Sequence, residues 1–454
     1  MVLTKDKSFY RSLVALAVPM ILQNLVTYAV GLADNLMIGS LGDAAVSGVY
    51  MGNQIQTVLQ VLSGGIEGGI LLLAAQYWGR RDTERVRRVV AVGVTFALAA
   101  GLLFSVVCTV CPAALLRVFT PQPEVIREGV NYLSFLCYSY VFFALTQALI
   151  AAMRSVEVAR VGLLVSVCSL AVDVTLNYIF IFGKLGAPAM GVRGAALATL
   201  IARITETAVI VLYVRLADKR LRFRFGALLH PDREIFRDFV RYGVPLMAGQ
   251  LVWGANLLAN SMILGRFSEA VITATSVANT ANNFMYVGIN GLAAAVGIVI
   301  GKTVGSGDLS RIREYSRTVQ VLFAGLGLLF GGMFLLARTP FIGLYDISPA
   351  AVGYSRQFMG VLAVTTIGTC YQYPCLFGLV KSGGDVKFVM LNDTIHVFLV
   401  VIPAALIAAM CGAAPVVVFA CLKADQILKC IPAFFKIRRY DWMKNLTRSE
   451  ETAD

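Results

Sequence analysis

The chain has 454 residues, 58% of them hydrophobic and only 14% charged, against roughly 45–50% and 25% in soluble domains. Apolar runs of membrane-spanning length recur from end to end, which excludes a soluble single-core enzyme and predicts an all-α polytopic membrane protein. The net charge of +13 does not point to nucleic acid, because 29 Lys and Arg lie on alternate loops and at the termini while seven lie on the opposite loops; the positive-inside rule therefore places both termini in the cytoplasm of a multi-pass plasma (inner) membrane protein.

The first run, residues 13–39, is roughly 40 Å of helix and crosses a bilayer with some tilt. Pro19 removes a backbone donor and predicts a kink near its entrance. Asp34 puts a carboxylate about 7 Å short of its far end, and an acid inside a span is costly and a functional candidate by default. Eleven more spans follow, at 44–77, 89–112, 130–153, 161–183, 191–215, 240–265, 270–302, 316–338, 353–379, 388–410 and 413–436. No cleavable leader is expected, since the first span is too long and carries an acid.

The spans form a repeat. At a fixed offset of 226, Val18-Pro19 matches Val244-Pro245, Gly39 matches Gly265, Asn53 matches Asn279, Gly65 matches Gly291, and Gly79, Asp82 and Arg85 match Gly305, Asp308 and Arg311. At offset 227, Arg154-Ser155 and Arg160 answer Lys381-Ser382 and Lys387. Six spans per copy give parallel topology, so two six-helix bundles related by a pseudo-two-fold along the membrane normal are expected. The domain boundaries read as 1–215 for the first lobe, 216–239 for a cytoplasmic loop, 240–436 for the second lobe and 437–454 for a cytoplasmic tail.

Polar groups inside spans mark the candidate chemistry. In the fifth span, Asp173 and Asn177 are four apart and share a helical face. By depth they can meet Asp34, and Thr199, about 12 Å down the sixth span, can join them. Two such carboxylates cannot both stay charged in a low dielectric, so one holds a proton or a cation sits between them. Carboxylate, amide and hydroxyl oxygens suit H⁺ or Na⁺, and no other metal is expected. The plainer alternative is that Asp173 and Asn177 only bind neighbouring helices.

Glu67, within Gly64-Gly65-Ile66-Glu67-Gly68-Gly69, is either a second proton carrier or the partner of a nearby base; the small residues around it permit close helix approach. Arg203 and Glu206, three apart, are expected to pair, and Lys423 and Asp425 to be neutralised locally. Position 260, the repeat mate of Asp34, is Asn, so the ion chemistry reads as confined to the first half. A substrate cavity would draw on Tyr28, Gln54, Glu67, Asn256, Asn282, Met285 and Tyr286, although such residues also glue helices or face lipid. His230 reads as a solvated loop residue and His396 as structural. The nine cysteines read as apolar filler, Cys108 and Cys111 included. No nucleotide-binding or nucleophile motif is present, so neither enzyme activity nor a cofactor is expected.

The sequence resembles the MATE (multidrug and toxic compound extrusion) family, in its DinF-like bacterial form. The resemblance is carried by Val18-Pro19 and Gly31 to Gly39, Ala75-Gln76-Tyr77-Trp78-Gly79, Asn177-Tyr178 to Gly183, Gly191 to Thr199, Ser382 to Lys387, and Trp442 to Thr447. It implies a monomeric secondary exporter, antiporting H⁺ or Na⁺ against small organic, cationic and amphipathic compounds by alternating access through a cavity between the lobes. Membrane lipid would be its surroundings. It also implies a first-lobe cation site at Asp34, Asp173, Asn177 and Thr199, with Gln147 added. The chain departs from the family by reversing Asp173 and Asn177, by lacking a seventh-span acid around Trp253 to Asn256, and by losing glycines in the loop from Arg154 to Arg160. A lipid-linked oligosaccharide or other lipid flippase of the same superfamily is the alternative; it would want deep bases, and only Arg203, Lys423 and Lys429 qualify.

Overall fold

The computed structural model describes residues 3–223, 225–229, 232–345 and 347–447; His230 lies outside them. Twelve long helical rods follow one another among the described residues: α1 Lys7–Gly39, α2 Asp43–Gly79, α3 Thr83–Val110, α4 Pro123–Ser155, α5 Arg160–Phe182 and α6 Val192–Leu212, then α7 Arg233–Leu264, α8 Glu269–Gly305, α9 Leu309–Ile342, α10 Pro349–Tyr373, α11 Val386–Met410 and α12 Pro415–Arg439. Among the described residues nine are both long and apolar enough to cross a membrane. The other three are α7, α10 and α12. Polar Asn and Gln dilute α7, α10 passes into wide π turns over Pro374–Val380, and α12 is interrupted at Ala424 and Lys429. Wide turns also continue α6 over Tyr213–Ala217 and interrupt α11 over His396–Val401.

The repeat is visible in local structure as well as in sequence. Asp82 caps α3 by accepting from the Arg85 backbone N–H at 3.0 Å, and its mate Asp308 caps α9 from Arg311 at 3.1 Å. Each cap follows a residue in the left-handed region: Arg81 (φ 63°) in the first copy, Gly307 (φ 77°) in the second. The packing repeats too. In the first copy α4 lies at the centre, against α2, α3 and α6, with α5 on α6; in the second α10 packs on α8, α9 and α12, with α11 on α12. Glycines permit close helix approaches at matching places. A Cβ on Gly101 would lie 2.9 Å from the Tyr140 carbonyl, and one on Gly327 2.8 Å from the Ile367 carbonyl.

Two compact units result, Val18–Met247 on the one hand and Met1–Ala17 with Ala248–Asp454 on the other. Their edges do not coincide with the repeat halves. The first turns of α1 belong with the second copy and the first turns of α7 with the first. Pro19 and Pro245, repeat mates inside α1 and α7, stand within two residues of these crossings. In the second unit, Thr4 donates its backbone N–H to Thr318 at 2.9 Å, and Tyr315 donates to Asp6 at 2.5 Å. In the first, α7 meets the glycines of α2: a Cβ on Gly65 would lie 2.4 Å from Met247 Cγ, and Phe239 covers Gly69.

Candidate cation site

The Val18–Met247 unit gathers its polar residues on α1, α5 and α6. Asn177 and Asp173 lie one turn apart on α5 and are 1% and 2% exposed. The Asn177 amide nitrogen donates to Asp173 Oδ2 at 3.2 Å and to Asp34 Oδ1 on α1 at 2.7 Å. One amide thus spends both hydrogens on two carboxylates, which fixes its orientation. The Asp34 and Asp173 carboxyls lie in hydrogen-bonding contact with each other, and the Thr199 hydroxyl of α6 lies against Asp173. Asp173 Oδ1 and Asn177 Oδ1 are buried with no hydrogen-bond partner. These are hard oxygen donors, suited to a proton or a small monovalent cation. Among the described residues no group of three His, Cys, Asp or Glu side chains is placed to hold a transition metal.

Arg203 completes the surroundings. Its Nη1 lies 2.8 and 3.0 Å from the two Glu206 oxygens, as their i,i+3 spacing predicts, and its guanidinium lies 5.1 Å from the Phe143 ring centre. Its charge also reaches Asp173 and Asp34. Three carboxylates therefore surround one guanidinium. Two further residues escape a reading of acid spacing: Tyr132 on α4, close to both acids, donates its hydroxyl to Asn53 Oδ1 on α2 at 3.2 Å. The face shared by Thr199, Arg203 and Glu206 on α6 was their nearest sequence signal. Gln147 forms no hydrogen bond to this group among the described residues; its neighbour Thr146 pairs with Thr207 at 2.9 Å.

The other candidates are scattered. Tyr28, Gln54 and Glu67 are half-buried in the first unit, and Glu67 acts electrostatically on Arg154, whose guanidinium donates to Gln23 at 2.8 Å. In the second unit Asn256 accepts from Asn260 at 3.2 Å, Met285 packs against the core, and Tyr286 meets Tyr373 edge-on at 5.6 Å. Asn282 is half-buried. His396 binds the Asn392 carbonyl through Nδ1 at 2.7 Å. Lys423 lies over Phe419, whereas Asp425 pairs with Lys429 at 3.0 Å.

Duplicated six-helix units of membrane-spanning length, with acids buried among their helices, define a polytopic transporter-type membrane protein. The MatE family model matches residues 19–179 and 245–407, one stretch in each copy, and the chain belongs to that family of transporters. It is 28% identical to "Probable multidrug resistance protein NorM" of Rhizobium meliloti over 338 residues, 74% of this chain and 72% of that protein. It is 25% identical to "Probable multidrug resistance protein YoeA" of Bacillus subtilis over 68% of each. Among solved structures, an outward-facing multidrug resistance MATE transporter of the MOP superfamily superimposes with a TM-score of 0.85 at 19% identity, covering 97% of this chain and 98% of that one. A MOP superfamily transporter from Pyrococcus furiosus, described as having a binding pocket of reversed polarity that suggests a different function, gives the same score, identity and coverage. The likeness to these structures is one of fold.

Proposed function

We propose that this protein is a secondary exporter of small organic, cationic and amphipathic compounds, driven by protons moving inward through Asp34 and Asp173. The observation that carries this reading is the contact between the two carboxyls, bridged by Asn177. Two carboxyl groups in contact are held together by a proton shared between them. Arg203, whose charge reaches both acids, is paired with Glu206 at 2.8 Å, which offsets its repulsion of a cation entering the site, so the preference for a proton rests on the contact between the two carboxyls. The two open oxygens, Asp173 Oδ1 and Asn177 Oδ1, support Na⁺ as the second reading. Protonation favours one conformation and substrate the other, so each displaces its counterpart as the site is exposed alternately to the two sides. The multidrug-resistance names of the relatives support the substrate class, and the basic loops support cytoplasmic termini. A flippase for pyrophosphate-linked lipids would want several free deep bases, but Arg203 and Lys429 are spent on carboxylates, which leaves only Lys423, over the Phe419 ring, of the three.

The test is efflux of a fluorescent organic cation from proteoliposomes under an imposed ΔpH or ΔNa⁺. Wild type should follow ΔpH, and Asp34→Asn should insert and fold but lose coupled efflux. Retained efflux in that variant would defeat the mechanism, and efflux that follows only ΔNa⁺ would replace the proton by sodium.

A further inference from the structure

In the unit that contains Ala248–Asp454 the buried charges answer one another: Asp393 on α11 and Asp425 on α12 share Lys429 at 2.9 and 3.0 Å, and Lys423 faces the same group. The unanswered charge lies at the surface, where the residues ahead of α1 meet the first turns of α9. Thr4 donates its backbone N–H to the Thr318 hydroxyl at 2.9 Å, Tyr10 donates to the Thr4 carbonyl at 3.1 Å, and Tyr315 donates to Asp6. These bonds pin the segment on either side of Lys5, so that Lys5 lines a cleft of about 520 Å³. That is the size of a small-ligand site.

Leu3 and Lys5 form one wall of the cleft; Ser310, Arg313, Glu314 and Arg317 of α9 form the other. The four α9 residues are spaced i, i+3, i+4 and i+7 and share one helical face. Three cations thus stand against one carboxylate. Neighbouring acids do not cancel the excess: Asp308 pairs with Arg311 at 3.1 Å, Asp441 with Lys436 at 2.9 Å, and Asp6 is outnumbered by Lys7 and Arg11 on its own stretch. Arg313 lies over the Tyr440 ring at 5.3 Å, and among the described residues no carboxylate pairs with Lys5, Arg313 or Arg317. The Ser310 hydroxyl is spent on Asp308 at 2.7 Å, so the cations are what the cleft offers a ligand.

The repeat shows that these bases are not a by-product of duplication. At the offset of 226, Lys5 corresponds to Pro231, Arg317 to Ala91 and Glu314 to Arg88, and Arg88 is taken up by Glu84 and by Asp232 at 2.9 Å. The level of the cleft says what fills it. From Thr318 to Ala337 α9 carries no charge, and Arg317 and Arg338 stand about 31 Å apart along the helix, close to the roughly 30 Å of a bilayer's hydrocarbon core. Arg317 therefore sits where hydrocarbon gives way to headgroups. The same helical face continues as Leu328 and Leu335, 65% and 45% exposed, and a Cβ on Gly325 or Gly332 would meet nothing within 4 Å. A bare apolar face of this kind is covered by lipid chains, and basic pockets at its end take anionic lipid headgroups.

We propose that this cleft binds an anionic phospholipid of the leaflet at that end of α9, with its phosphate among Lys5, Arg313 and Arg317 and its chains along α9. Glu314 offsets one of the three cations and weakens the hold. The inference is independent of which ion drives transport.

The test is native mass spectrometry of the full-length protein titrated with phosphatidylglycerol, phosphatidylethanolamine or inorganic phosphate in one detergent. Wild type should take up its first phosphatidylglycerol well below the concentration at which phosphatidylethanolamine binds. A cation at such a surface is worth about fivefold in affinity, so Arg313→Ala combined with Arg317→Ala should weaken binding roughly twentyfold or more. Lys5→Ala, which lies outside every helix and so leaves α9 intact, should weaken it about fivefold. Glu314→Gln should tighten it by about the same factor, which a merely structural role would not do. The two lipids binding alike, or affinities unmoved in all the variants, would overturn the proposal. Inorganic phosphate displacing the lipid at equal concentration would replace the lipid by a free anion.

Discussion

Arg203 lies between two claims on its charge, and separating them tests the electrostatics of the first-unit site. It pairs with Glu206 at 2.8 Å, in side chains 19% and 9% exposed, and it also reaches Asp34 and Asp173. Glu206→Gln removes one of three carboxylates around one guanidinium, and the aspartates remain to answer it. Two unit charges about 8 Å apart at an effective dielectric of 20 are worth roughly 2 kcal/mol, so the loss of stability should be held to about 1–2 kcal/mol. Arg203→Met instead removes the cation and leaves Glu206 buried and uncompensated, which costs about 3–5 kcal/mol. The two variants should therefore differ by about 2–3 kcal/mol, a factor of roughly 30 or more in the unfolding equilibrium. The assay is denaturant unfolding in lipid nanodiscs, paired with ΔpH-driven efflux. Glu206→Gln should fold yet slow efflux at least tenfold, because the freed guanidinium then stands in for the proton at the carboxylates. Equal stability losses in the two variants, or unimpaired efflux in Glu206→Gln, would refute the reasoning.

Two further outcomes are expected from the loops. Arg81→Gly should stabilise the protein by about 0.5–1 kcal/mol, because Arg81 holds the left-handed conformation that Gly307 fills in the other copy; Gly307→Arg should cost at least as much, and thermal melts of both variants would show a shared sign if backbone strain were not the cause. Burial pushes the Asp385 carboxyl up, but Lys436 and Lys444, each at 2.8 Å, outweigh it and hold the group below the ordinary carboxylate value. A depressed acid contributes stability above its unfolded value and loses it as pH falls through the folded one, so hydrogen exchange of residues 440–447 should rise at acid pH in wild type and already at neutral pH in Asp385→Asn.

What the sequence made legible were features of short range or fixed offset. Membrane-length runs and a constant offset were enough for twelve rods in two copies. A four-residue spacing was enough to put Asp173 and Asn177 on one face, where they meet at 3.2 Å, and a three-residue spacing for Arg203 and Glu206. Groups joined through space were illegible: Tyr132 and Asn53 come from helices 79 residues apart and carry no charge to attract notice. Asp393 was hidden from Lys429 by the α11–α12 turn. Where glycines are missing after α4, the chain still takes the left-handed turn, with Glu157 at φ 63° where the other copy has Gly384 at φ 106°; Trp78 donates to that glutamate at 3.3 Å. A side-chain bond offsets the backbone strain, and no local pattern announces it.

Duplication explains why both units could acquire a charge cluster and why the two are unlike. The first copy keeps its acid on α1 at Asp34; at the matching place the second has Asn260, whose amide turns back to its own helix at the Asn256 carbonyl, 2.8 Å away. With Asn260 at the place of the α1 acid, the second copy carries its buried charge on the α11–α12 pair, with Lys429 in place of a guanidinium. Measured along its own helix, Asp173 stands thirteen residues, about 20 Å, from the start of α5, and Asp393 seven residues, about 10 Å, from the start of α11. Both helices begin after repeat-related basic loops. A proton moving inward enters at the opposite ends of these helices, so it meets Asp173 nine residues, about 14 Å, along α5 from its far end, and the first-unit carboxylates stand the nearer to its entry.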